Sequence, residues 1–208
     1  NQEGKISVCI PFYNIESYVS RCLDSVLGNT YQNLEVICVN DGSSDGTSAL
    51  LHTYEEKDSR VIVIDKKNGG IVSARNAAID VATGDFISFV DGDDWIHHQF
   101  FEVLMSVQEQ TSADAVICGY EKCSDIVQDV EVSKEVVSTL ADTAALLNNA
   151  HARTHIWGRI YARELVSKQA DASDIVMGED TAFNLLFLCR NDRRRVVIIP
   201  ERLYYYFQ

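Results

Sequence analysis

A chain of 208 residues with 46% hydrophobic content is long enough for one sizeable core. It carries 18 basic and 31 acidic residues, a net charge of −13, which argues against a nucleic acid partner. No apolar stretch approaches the ~20 residues that span a bilayer and no signal peptide opens the chain. The cysteine usage is that expected of a cytoplasmic protein.

The first half alternates strand and helix patterns. ISVCI (Ile6–Ile10) reads as a buried strand ended by Pro11. Tyr18, Cys22, Ser25 and Val26 follow at helical spacing, predicting a helix from Ile15 to Leu27. LEVICVN (Leu34–Asn40) is a second strand, and DGSSDGT is turn chemistry with Asp45 as N-cap of a helix through Leu50, Leu51 and Tyr54. VIVID (Val61–Asp65) is a third strand, Asn68-Gly69-Gly70 a loop, Ile71 to Val81 a helix, and DFISFV (Asp85–Val90) a fourth strand. This alternation predicts an α/β fold with a mainly parallel sheet and crossover helices. The six cysteines show no CxxC pairing; Cys9 and Cys38 lie in apolar strands and read as reduced core thiols. Arg190 and Arg193–Arg195 lead into VVIIP and read as a solvated turn before a strand.

The fourth strand runs into Asp91-Gly92-Asp93-Asp94. At roughly 6 Å and an effective dielectric of about 20, each like-charge pair costs about 3 kcal/mol. Two readings stand: a bound hard divalent cation, which takes oxygen ligands of this kind, or a solvated acidic turn with Asp94 capping the next helix. In an open α/β sheet, ligands bind at the carboxyl ends of the strands. Here those ends are Pro11-Phe12-Tyr13-Asn14, Asn40-Asp41-Gly42 and Asp91-Gly92-Asp93. Parallel strands would bring them to one edge, where Asp41 could meet a base or ribose, Tyr13 a ring, and the aspartates a metal against phosphates.

Several alternatives fail on their residues. DGSSDGT lacks the Gly-Lys-Ser/Thr of a P-loop, and no GxGxxG follows the first strand. A calcium loop counted from Asp91 would need glycine where Ile96 stands. The segments ISVCIPFYN, EVICVNDGSSDGT, NGGIVSARNAAI and GDFISFVDGDDW resemble, in order, the motifs of family 2 glycosyltransferases, inverting sugar-nucleotide enzymes of GT-A fold. HIWGRIYARELV is similar to the W-x-K-L-Y-x-R-x-L pattern of bacterial capsule and exopolysaccharide members, with Arg159 where lysine is usual. MGEDTAFNLLFL and PERLYYYFQ extend the resemblance over nearly the whole chain.

The resemblance implies a site. Pro11, Tyr13 and Asn14 would line the base and ribose pocket, Asp41 would bind the nucleobase edge, and Arg75 would approach the base or diphosphate. Asp91 and Gly92 would lie against the ribose or metal, and Asp93, with Asp91, would ligate Mg²⁺ or Mn²⁺ at the diphosphate. Asp180 of GED would be the general base, at the start of a helix through Phe183, Leu186 and Phe187. Outside the family pattern, Arg75 is a helix-surface arginine and Asp180 a first-turn helix acid. His97 and His98 are expected in the first turn of a helix, and His155 near the acceptor.

The expected organisation is one catalytic domain over 1–208, with a nucleotide-sugar half (1–95) and an acceptor-side half (96–208). Family members often run past YYYFQ, so a chain trimmed at its C-terminus is expected, with the absent segment a route to peripheral membrane association. The implied partners are a nucleotide-sugar donor, UDP-linked by family habit, and a saccharide or lipid-linked acceptor in polysaccharide biosynthesis. Two rivals stay open: a haloacid dehalogenase type phosphohydrolase, which would want Thr or Val where Trp95 stands, and a non-catalytic nucleotide-sugar-binding module.

Overall fold

The computed structural model describes residues 4–124, 132, 139–141, 146, 148–168, 178–189 and 194–208. The stretch 125–137, Val132 excepted, lies outside these residues. The first half contains β1 (Ile6–Phe12), α1 (Glu16–Leu27), β2 (Leu34–Asn40), α2 (Thr47–Lys57), β3 (Val61–Asp65), α3 (Gly70–Val81) and β4 (Phe86–Phe89). The strands lie parallel in the order β3-β2-β1-β4. Helices cover both faces, so β1 and β2 are buried along their whole lengths, which is why they read as unbroken apolar runs.

Pro11 does not end β1. It pairs with Val39 of β2, whereas pairing with β4 stops at Cys9, so the missing proline N–H falls where no ladder bond is due. Alternate residues of β1 enter different layers. Val8 and Ile10 pack with Leu23 of α1 and Leu51 of α2, while Cys9 packs with Ala74 and Ala78 of α3. All five cysteines with described side chains, Cys118 and Cys123 included, are free thiols.

The second half comprises β5 (Trp95–Ile96), α4 (Phe100–Thr111), β6 (Ala115–Cys123), β7 (Thr139–Ala141), α5 (Ala150–Thr154), β8 (Arg159–Ala162), α6 (Glu179–Cys189) and β9 (Val196–Phe207). β8 joins β4 antiparallel and extends the sheet to β3-β2-β1-β4-β8-β6-β9-β5, with β7 beside β9. The described sheet is therefore parallel in its first half and mixed in its second. β9 bulges against β6: Ile117 faces Ile198, but Gly119 faces Arg202. Pro200 occupies that bulge, where a ladder donor is not needed. The bulge sets the register that carries Tyr204 beneath the acidic run.

Candidate active site

The ends of β1, β2 and β4 meet at one edge, as parallel pairing requires. Gly92 permits the closest approach there: a Cβ on it would stand 2.6 Å from Ile15 Cδ1 and 2.8 Å from the Pro11 carbonyl oxygen. An open cavity of about 410 Å³ results, within the range of small-molecule sites. Pro11, Tyr13, Arg75, Asp91, Gly92 and Asp93 line one side, and His155, Trp157, Glu179, Asp180 and Tyr206 the other. Tyr13 is 51% exposed, a free ring at the rim.

Arg75 is the link between the two sides. It is 3% exposed, so it is no surface arginine. Its guanidinium donates to Asp180 Oδ1 at 2.6 Å and to Asp91 Oδ1 at 3.0 Å. Asp180 Oδ2 accepts from the Ile156 N–H at 3.2 Å, which fixes the carboxylate at the start of α6. Burial pushes the Asp180 carboxyl above the usual carboxylate range, with the Arg75 charge pulling back. The Asp93 carboxyl is also raised, by burial first and then by Asp91.

Two expected residues take other places. Asp41 stands outside the cleft wall: Oδ1 accepts from Lys66 Nζ at 2.6 Å and from Gly69 N–H at 3.0 Å, and Oδ2 from Gly70 N–H at 2.8 Å. It thus caps α3. Asn14, in the left-handed region at φ 51°, accepts from Ser44 N–H at 2.8 Å and ties the β1–α1 turn to the β2–α2 turn. Asp94 does not cap the next helix; it is buried, accepting from the Tyr204 hydroxyl at 2.6 Å and Phe207 N–H at 2.8 Å. Burial, then Asp91, pushes its carboxyl up to about 8. The Tyr204 oxygen in turn accepts from Asp91 N–H at 3.1 Å, so β9 supports the acidic run from below. His97 and His98 precede α4 rather than opening it, because the His97 N–H bonds to Leu203 of β9 at 2.9 Å.

Arg21 was not foreseen. It donates to the Asp93 carbonyl at 2.7 Å, its guanidinium lying 4.1 Å from the Trp95 ring and 4.6 Å from the Phe207 ring. Only long-range pairing of β5 with β9 builds that slot. Lys66 was also missed, although it directly follows β3 and the strand-end rule reaches it.

The donor set fits a hard dication in part. Asp91 keeps one oxygen clear of Arg75, and the Asp93 carboxylate takes no side-chain hydrogen bond among the described residues. Those residues hold no cluster of three or more metal-binding side chains. Two carboxylates with the remaining positions left to phosphate and water is how Mg²⁺ is commonly held.

The family model described as glycosyl transferase family 2 matches residues 7–171. The chain belongs to this family. The uncharacterized glycosyltransferase EpsJ of Bacillus subtilis is 35% identical over 211 residues, covering 97% of this chain and 60% of that protein. The crystal structure of S. aureus TarS 1–349 in complex with UDP-GlcNAc superposes with a TM-score of 0.78 at 24% identity, over 98% of this chain and 58% of that one. The mannosyltransferase PcManGT from Pyrobaculum calidifontis, in complex with GDP-Man and Mn²⁺, gives 0.71 at 17%, over 99% and 57%. These likenesses establish the GT-A fold. The chain spans about 60% of the length of EpsJ. Family membership sets aside the phosphohydrolase alternative. No helix among the described residues is long and apolar enough to cross a membrane.

Proposed function

We propose that this chain transfers a sugar from a nucleotide-sugar donor, UDP-linked, to a hydroxyl of a saccharide or lipid-linked acceptor in polysaccharide biosynthesis, with inversion at the anomeric carbon. The observation that carries this reading is the Arg75 bridge, which sets a candidate proton acceptor and a candidate metal carboxylate on facing walls of one cleft. The bound UDP-GlcNAc of TarS and the GDP-Man of PcManGT support a nucleotide sugar as the occupant.

In this reading Tyr13 packs on the base and Pro11 borders the ribose. A base contact by Asp41 would fall on Oδ2, which accepts only from the Gly70 N–H among the described residues and keeps a second lone pair. The acceptor oxygen attacks the anomeric carbon from the face opposite the diphosphate; its proton passes to Asp180 as the new C–O bond forms, and the old bond's electrons leave with the diphosphate. The raised carboxyl of Asp180 makes it a better base than an exposed aspartate, and Arg75 holds it ionised and aimed. Asp93 and Asp91 would hold Mg²⁺ or Mn²⁺, whose chemistry when bound is charge neutralisation at the leaving diphosphate. That also fits the Mn²⁺ of PcManGT.

The test is a thermal-shift screen of nucleoside diphosphates and their sugars with and without Mn²⁺, followed by transfer and donor-hydrolysis assays. UDP or a UDP-sugar is expected to raise the Tm, more so with Mn²⁺, and Asp93→Ala is expected to remove the metal-dependent part. An unchanged metal dependence in that variant contradicts the ligand assignment. Binding with neither transfer nor hydrolysis would leave a binding module instead.

A further inference from the structure

The second wall of the cleft holds a histidine pair whose hydrogen bonds fix where the protons sit. His151 Nε2 lies 3.1 Å from the Cys118 carbonyl oxygen, which can only accept, so His151 carries its proton on Nε2 and a lone pair on Nδ1. The Thr154 hydroxyl donates to the Ala150 carbonyl at 2.7 Å, so its oxygen is left to accept. Both acceptors, Thr154 Oγ1 at 3.1 Å and His151 Nδ1 at 3.4 Å, face the same atom, His155 Nδ1. The His155 proton therefore sits on Nδ1 and its Nε2 is a bare lone pair. Burial, followed by the nearby Arg159 charge, lowers both imidazoles, His151 to about 3, which keeps the pair neutral.

This lone pair belongs to the cleft. His155 lines it and is half-buried, and its Nε2 takes no partner among the described residues. The backbone beside it is bolted to the proton acceptor: the His155 carbonyl accepts from Asn184 Nδ2 at 2.8 Å, and the next N–H, of Ile156, bonds Asp180. Below runs an aromatic floor, Trp157 lying nearly parallel to Tyr204 and Tyr206 at 10° and 14°. Of those two tyrosines, Tyr206 lines the cleft. A flat apolar ring and a bare acceptor suit the C–H face and the hydroxyls of a sugar.

We propose that His155 is a specificity-determining residue for the acceptor, its Nε2 accepting a hydrogen bond from a saccharide hydroxyl beside the one that reacts, with Tyr206 as the floor under that ring. The inference rests on the sugar-transfer reading above. It assigns the acceptor as a saccharide unit with a free hydroxyl next to the glycosylated position, one that keeps its proton through the reaction.

The test uses the whole chain with ¹⁵N-labelled histidine rings, in UDP and Mg²⁺. The spectrum is expected to show His155 protonated at Nδ1 and bare at Nε2. Methyl glycosides of glucose, galactose and N-acetylglucosamine are then titrated in, and at least one is expected to move the Nε2 signal. An Nε2-protonated ring, or an Nε2 signal that none of them moves, overturns the inference while UDP binding leaves the donor site standing. Failure of UDP to bind overturns the sugar-transfer reading itself. With the glycoside that moves the signal as acceptor, His155→Leu is expected to raise its KM roughly tenfold with UDP affinity unchanged. His155→Gln, which offers a carbonyl oxygen in place of Nε2, should restore most of that loss. Equal KM in all three proteins contradicts the assignment.

Discussion

The parallel half and the mixed half of the sheet each bury a charged side chain and satisfy it fully, with opposite signs and different consequences. In the parallel half, Glu35 at the start of β2 accepts from Lys5 Nζ and Ser7 Oγ at 2.5 Å, and from the Thr83 hydroxyl at 2.7 Å. This network lies at the strand edge opposite the cleft, stitching β1 and β2 to the turn before β4. In the mixed half, Arg159 of β8 donates to the carbonyls of Trp157, Ala152 and His151 at 3.2, 3.0 and 2.8 Å. Those carbonyls belong to the segment that presents His155 and Trp157 to the cleft. The first charge holds the scaffold; the second also shapes the wall where an acceptor would sit.

Replacing each charge separates these roles. Arg159→Met takes the donor from the Ala152 and Trp157 carbonyls, while the His151 carbonyl keeps the His155 N–H at 3.3 Å. At ~1–3 kcal/mol for each unsatisfied group the expected loss is about 4 kcal/mol in urea unfolding. Folded Arg159→Met protein should still bind UDP, because the carbonyls that the Arg159 side chain holds belong to the opposite wall. Loss of UDP binding by folded protein would break the division between the halves.

Glu35→Gln should cost about 3 kcal/mol at pH 7 and leave the cleft untouched. Burial alone would raise this carboxyl, but the hydrogen bonds from Lys5, Ser7 and Thr83 outweigh it and hold the group at about 2. The folded value lies below the unfolded one, so the stabilisation is fully present above about pH 4.5 and is lost as pH falls towards 2. Urea midpoints of wild type and variant should therefore converge over that window. A gap that stays constant with pH would show that the charge is not what matters.

The smallest effect is expected at the rim. Tyr13→Ala should leave the unfolding midpoint unchanged, the ring being exposed, and weaken UDP by about 1–2 kcal/mol if the base stacks there. Unaltered UDP affinity would move the base elsewhere in the cleft.

The two halves also differ in how far the sequence discloses them. β2 and β3 fall where their apolar runs end, because a short apolar run bounded by turn residues writes itself locally whether the strand is buried throughout, as β2 is, or only in part, as β3 is. Asp91 and Asp93 stand in the cleft because a strand end is a local feature too, whereas Arg75, in the middle of α3, and Asp180 were legible only through the family resemblance. Asp94 could not be read this way: its partners are Tyr204 and Phe207, more than a hundred residues on, and only the bulged register of β9 brings them beneath it. Arg21 was hidden for the same reason, its slot being built from α1, β5 and β9. Asp41 shows the converse, a residue at the expected edge that is tied to Lys66 and to the Gly69 and Gly70 amides at the distant start of α3.

The most direct test of the whole account is Asp180→Asn, assayed in parallel for UDP affinity and for transfer or donor hydrolysis. The amide keeps the shape but cannot take the hydroxyl proton, so turnover should fall by about 10²–10⁴-fold while UDP affinity stays near that of the unaltered chain. Retained turnover, or UDP affinity lost together with it, would contradict a proton acceptor facing a separate donor site.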